Sequence, residues 1–445
     1  MTATVRFCER DVPLDETRLD CVNTTVDDLA PLRRLTALRE LRLLDTNPHR
    51  HSEPEVTDLA PLAALTQLEV LEIPGAPVAN LRPLAGLTRL RRLDVSRTEI
   101  RDLAPLAGLR ALVSLDVAST AVADLAPLAA LTALEALDIS HTRVTALEPL
   151  GKLAKLVKLE LHGAPIADLA PLAAHPALVR AETLDLSETA VRSLAALAHA
   201  TALRELRLIN TPIGDLSELQ TLHMLGALRL DGSGVHDLSA LAALSQLETL
   251  TLSSTRVDDL APLCGLTNLR VLALDQTQVR DLAALANLIQ LEELTLGDAP
   301  VAELAALAGL GRLRSLQLEG TAVRDLSPLR GLVIESLNLS RTAVADLTPL
   351  ATLPGLRNLW LGHTEVTTLD PLRGAAALER LDLRSTLVTD LAPLTDLPAL
   401  EFLDVQHVQV DEAQIEMLRA RHPELVVVRE PPSRHNRAHA KRPLS

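Results

Sequence analysis

"LDVASTAVADLAPLAALTALEA", residues 115–136, decides the fold. Leu115 and Val117 flank Asp116, and this period-two alternation gives a short strand with both apolar side chains on one face. Ser119 and Thr120 turn the chain, and Val122 and Leu125 carry it back inward. Asp124 then precedes "LAPLAAL", expected as a short helical or 3-10 segment. Asp suits an N-cap, and Pro127 falls in the first turn, where its missing N–H costs little. Leu128, Leu131 and Leu134 return apolar groups to the interior. One such unit cannot bury its own apolar face. Stacked copies can, and stacking lays their strands side by side as a parallel sheet.

Working outward, the Leu-x-Leu pair recurs 18 times, from Leu19 to Leu403, with Val, Ile or Cys sometimes in the second place. The spacing is 22 residues except at three steps: 30 after Leu41, 25 after Leu159 and 21 after Leu316. The place after each turn is threonine in 13 of the 18 units, Thr98, Thr120, Thr255 and Thr386 among them. A buried hydroxyl at a fixed place needs partners, so a ladder of threonines bonding the neighbouring turn is expected. Three exceptions, Ala76, Ala164 and Ala299, are each followed by proline, which stiffens the turn.

These residues resemble the leucine-rich repeat family. The match is to L-x-x-L-x-L-x-x-N-x-L with threonine mostly in the Asn place, as in "LEALDISHTRV". The 22-residue length and the "V-x-D-L-x-P-L" segment are similar to the subclass found in bacterial internalins and in a phosphatase regulatory subunit. The resemblance implies an α/β solenoid curved as a horseshoe. About 18 repeats would set a parallel sheet on the concave face and short helical or 3-10 segments on the convex face. It is specific for fold and far less so for function. Internalins are secreted and often wall-anchored; this chain shows no such signal or anchor, so their host-receptor role is not carried over.

Composition bounds the rest. Hydrophobic residues make up 47%, charged residues 23% and aromatics only 1%, so Leu, Val, Ile and Ala must fill the core. A net charge of −15 disfavours nucleic acid and anionic membranes as partners of the body. No run of about 20 apolar residues suggests a membrane span. Cys8, Cys21 and Cys264 match no metal or redox spacing. The expectation is a cytoplasmic monomer with no cofactor and no metal.

Four regions are expected: an N-terminal cap over 1–18, with Val5 and Phe7 on one side of a leading strand; the solenoid over 19–410; a C-terminal cap over 411–430; and a disordered basic tail over 431–445. In the C-terminal cap, Asp411 and Gln414 make a capping box, and "LVVV", 22 residues past Leu403, adds an edge strand. The insertion "NPHRHSEPE", 47–55, is expected as a flexible rim loop.

The residue between the two strand leucines points away from the core, and neighbouring copies lie about 4.8 Å apart. Six successive acids stand in this column: Glu72, Asp94, Asp116, Asp138, Glu160 and Asp185. Like charges opposed on adjacent strands destabilise, so folding alone does not ask for the run. It suits a basic protein ligand, although "LDLS" is also a common strand sequence in the family. Further along stand Asn338, Trp360, the chain's one tryptophan, and Asp382. Arg380 lies diagonal to Trp360, with Phe402 one strand beyond, a grouping suited to a binding hot spot in which Arg380 stacks between the rings. His141 and His162 edge the acidic stripe.

No catalytic motif stands out, and Cys264 is read as a packing residue on the convex side. The expected function is a non-catalytic protein-interaction scaffold binding its ligand on the concave face. Two alternatives are an exported bacterial effector acting on a host protein, and a metal-dependent module or enzyme using the His141/His162 region.

Overall fold

The computed structural model describes residues 3–24, 26–44 and 56–429. The 47–55 insertion and the 431–445 tail lie outside them. Residues 1–225 and 226–445 form two compact units.

The first unit opens with an antiparallel hairpin, Thr4–Phe7 against Arg10–Pro13. Val5, Phe7 and Val12 are buried. Seven parallel strands follow in sequence order, from Arg18–Val22 to Lys158–Glu160. Leucine faces leucine throughout, Leu19 opposite Leu41, Leu41 opposite Leu71, and on to Leu137 opposite Leu159. The eight-residue insertion after Leu41 therefore leaves the register intact. A further parallel pair, Thr183–Asp185 with Glu205–Arg207, ends the unit.

In the second unit, strands from Ala227–Arg229 to Val426–Val428 pair in parallel, each with the next. The short 21-residue step keeps Leu316 opposite Leu337. There the chain is shortened in the loop around Gly331. The edge strand is shifted from its expected register: Val427, not Leu425, faces Leu403. The helix Glu412–Arg421 precedes it and uses the additional chain.

The connections are 3-10 turns of three to five residues, such as Ala126–Ala130. A 22-residue period leaves too little chain for a longer helix after strand and turn. The aspartate ahead of most segments stands one place before the N-cap and holds the segment's first N–H: Asp124 Oδ1 accepts from Ala126 N at 2.8 Å, and Asp102, Asp259 and Asp390 repeat the contact. Leu125, Leu128, Leu131 and Leu134 are buried as the sequence demands.

The threonine ladder takes another form than expected. From Thr98 onward the threonine hydroxyls bond within their own turns, Thr120 Oγ1 donating to Val117 O at 2.7 Å and Thr386 Oγ1 to Leu383 O at 2.7 Å, whereas the buried Thr24 hydroxyl has no partner among the described residues. The link to the next turn is made by backbone. The residue before threonine sits in the left-handed region (Ser119 φ 55°, His141 φ 53°, Glu188 φ 59°), which aims its N–H at the adjacent turn. Ser119 N thus donates to Ser140 O at 2.8 Å. Threonine closes the turn, and the left-handed residue joins the copies.

Two more expectations are corrected. Asp411 caps its helix with no side-chain hydrogen bond, and Gln414 does not complete a capping box. Gln414 instead tethers the helix to the preceding repeat, accepting from Leu391 N at 2.7 Å and donating to Thr389 O at 3.1 Å. Cys264 is exposed and so is not a packing residue.

Cys8 and Cys21 form a disulfide with Cα atoms 5.9 Å apart. Their separation of 13 residues matches no spacing rule, but the hairpin reverses the chain and brings Cys8 onto the strand Arg18–Val22. Closing a loop of this length stabilises by about 3 kcal/mol. Cys8→Ser should therefore release the hairpin. Hydrogen exchange of amides 4–13 should accelerate by about two orders of magnitude; unchanged exchange would show that packing of Val5 and Phe7 suffices.

Candidate functional site

The outward column of the strands is built by alternation: the flanking leucines go in, and the middle side chain goes out. Glu72, Asp94, Asp116, Asp138, Glu160 and Asp185 occupy it in the first unit, all half-buried. The structure gives the aspartates a local duty that their charge pattern did not disclose. Each turns one carboxylate oxygen onto the backbone two residues on: Asp94 onto Ser96 N at 2.9 Å, Asp116 onto Ala118 N at 2.9 Å, Asp138 onto Ser140 N at 2.8 Å and Asp185 onto Ser187 N at 2.9 Å. Folding does ask for these acids, because they close the turn at the strand end. Glu72 is instead held by Arg42 at 3.0 Å, which also binds Asp20 and Glu40.

Stacking the acids is not free. Burial, joined by the carboxylates of Asp94 and Asp138, raises the Asp116 pKa to about 6, against the opposing Ala118 N–H. The unfolded carboxyl titrates near 3.9. Stability from this group is thus fully present below about pH 4 and is lost as pH rises through about 6. Asp116→Asn keeps the oxygen that accepts from Ala118. It should gain about 1 kcal/mol at pH 7, after discounting for partial exposure, and nothing at pH 3.5. Urea titrations at the two pH values check this; an equal gain at both would assign the effect to something other than the acid ladder.

In the second unit, Trp360 ends the strand Asn358–Trp360, half-buried, with Asn338 and Asp382 opposite it on either side. Arg380 is exposed and pairs in register with Phe402, which is half-buried. Arg380 stacks on neither ring: the one ring contact among the described residues is between His141 and His162. Asp382 is buried, and Arg384 fills its carboxylate with contacts at 2.6–3.0 Å while reaching Asp404 at 3.4 Å. Burial pushes the Asp404 carboxyl above its ordinary range. Arg384, which the sequence reading did not single out, fixes the acidic floor beside Trp360. The ring itself carries no such bond.

His141 and His162 meet edge to face, with ring centroids 4.7 Å apart. Glu188 joins them, and one ligand atom from each lies within 4.8 Å of the others. The sequence reading missed Glu188, although the register could have found it. His141, Gly163 and Glu188 occupy the same left-handed place in three successive turns. Near them the ladder is interrupted. The 25-residue step after Leu159 inserts the helical turn Pro176–Val179, N-capped by His175. Lys158–Glu160 and Thr183–Asp185 consequently belong to separate sheets. Leu159 and Leu184 are 8% and 4% exposed, whereas the other leading strand leucines reach at most 1%. Beyond the gap the turns meet again, Gly163 N donating to Ser187 O at 2.9 Å.

No helix among the described residues is long and apolar enough to cross a membrane. No family model and no curated protein matches the sequence. Among solved structures the fold is similar to an internalin (InlF) of Listeria monocytogenes, at 24% identity and TM-score 0.54, covering 79% of this chain and 89% of that one. It is also similar to a leucine-rich repeat protein of Leptospira interrogans, at 17% identity and TM-score 0.59, covering 93% and 96%. A TDR receptor matches at 16% identity and TM-score 0.64, over 88% and 76%.

Proposed function

Taking the leucine-rich repeat fold of internalin-like type as premise, we propose that the chain is a non-catalytic scaffold that binds a protein ligand on the outward face of its strands. One observation carries this reading: Trp360 stands on that face, where the leucine core has no need of it. Exposed Arg380 and half-buried Phe402 flank it, supplying the residue types of a binding anchor. The acids of the first unit, half-buried on the outward face, favour a basic partner.

The disulfide changes the expected location. Disulfides persist in oxidising compartments, so Cys8–Cys21 favours an exported protein over a cytoplasmic one. An exported scaffold acting on another cell's protein accommodates both the disulfide and the strand face. The test is cross-linked capture of partners by the oxidised protein and by Trp360→Ala, at low and high salt. A partner held equally by both proteins would refute the assignment of Trp360, and one insensitive to salt would refute the role of the acids.

A further inference from the structure

We propose that His141, His162 and Glu188 form a binding site for one divalent transition-metal ion of the zinc class, which clasps the solenoid across the break in its ladder. The three donor atoms come from three successive turns and lie within 4.8 Å of one another. A tetrahedral zinc with ligands at about 2.0–2.1 Å needs donors about 3.4 Å apart. The three must therefore close in by about 1 Å, a movement within the reach of side-chain rotation for His141 and Glu188, which are both exposed. Two imidazoles and a carboxylate select zinc, nickel or copper over calcium and magnesium, which prefer oxygen alone. Three protein ligands leave one position open.

Two features set this cluster apart from a chance meeting of polar side chains. The first is Gly163. It occupies the turn place between His141 and Glu188, at φ 69°, and a Cβ there would lie 2.3 Å from His141 Nδ1. At the same place the adjoining turns carry His141 and Glu188 themselves. Glycine recurs at this turn place as Gly75, Gly232 and Gly320; here the missing side chain clears the space in which two flanking metal-ligating donors converge. The second is His162. Its Nδ1 is buried with no hydrogen-bond partner and lies 3.6 Å from Asp185 Oδ1. A carboxylate behind an imidazole is the arrangement that orients metal-ligating histidines. A proton on Nδ1, facing Asp185, leaves Nε2 for the ion. Asp185 also lies 3.7 Å from Arg207, which holds it as an orienting group and not as a ligand.

The position gives the ion a purpose. His141 and His162 belong to turns before the interrupted step, Glu188 to the turn after it, and the strands between them share no sheet. An ion held by both sides replaces the ladder bonds lost there.

Zinc titration of the metal-free, disulfide-bonded full chain, followed by calorimetry and thermal melting, tests the proposal. The expected result is one tight zinc per chain and a rise in Tm. Glu188→Gln and His141→Gln should each weaken that site at least tenfold and abolish the rise, while the metal-free variants melt like the wild type. Gly163→Ala should also weaken it, and its melting without metal separates loss of the site from loss of the fold. Absence of tight binding, or tight binding that survives in the Glu188→Gln/His141→Gln double variant, would overturn the assignment. In the latter case the ion sits on other histidines of the chain.

Discussion

Leu359→Ala is expected to destabilise the second unit by about 2–5 kcal/mol, as deletion of a packed leucine side chain does. Leu359 is 1% exposed and lies in register between Leu337 and Leu381. A cavity there faces leucines above and below, and the backbone ladder on both sides prevents the strand from collapsing into it. The loss should appear in urea unfolding as a lowered midpoint. If the variant instead unfolds at the wild-type midpoint, the alternation assigned to the strand Asn358–Trp360 is wrong by one residue. Such a shift would move every side chain of the strand to the other face.

The neighbouring substitution should do the reverse. Trp360→Ala is expected to change stability by less than about 1 kcal/mol, since the ring is only half-buried and packs outside the leucine core. Partner affinity, however, should fall by at least about 30-fold, the scale of a central aromatic anchor. The two variants differ by one position in sequence and by one face of the sheet, so together they separate folding from recognition. Comparable losses of stability from both would place the ring in the core and remove the main support for the scaffold reading.

Much of this architecture is legible in 22 residues because one physical constraint repeats. Strand leucines, the Asp before most 3-10 turns and the threonine after most strands recur at fixed offsets, so one unit predicts the others. The threonine partners were misjudged for a related reason. Position reveals that a hydroxyl is buried, but not whether its acceptor belongs to its own turn or the next. The left-handed residue before it is Ser119, His141, Glu188 or Asn210, with no shared chemistry, so the backbone device that joins the copies leaves no mark in composition. The N-terminal hairpin hid its disulfide similarly. Its turn places Cys8 and Glu9 at φ 47° and 61°, where Asn and Gly are the recognisable signals.

The candidate residues divide along the same line. Trp360 is visible from sequence because it violates composition. The acidic stripe is equally visible, yet its meaning changes once each aspartate is found bonded to its own turn. Glu188 is harder to see because the 25-residue step after Leu159 displaces it from the 22-residue spacing that aligns His141 with Gly163.

That step also bears on how the solenoid comes apart. In a linear array each repeat is coupled only to its neighbours, so the whole behaves like a row of magnets with one weak joint. The interface between Lys158–Glu160 and Thr183–Asp185 has lost its strand ladder and keeps two backbone bonds between turns, a helical turn and the approach of His162 to Asp185. A wall between folded and unfolded repeats is cheapest to place there. The joint therefore divides the first unit into segments that melt with separate cooperativity, and whatever grips both sides decides whether they melt as one.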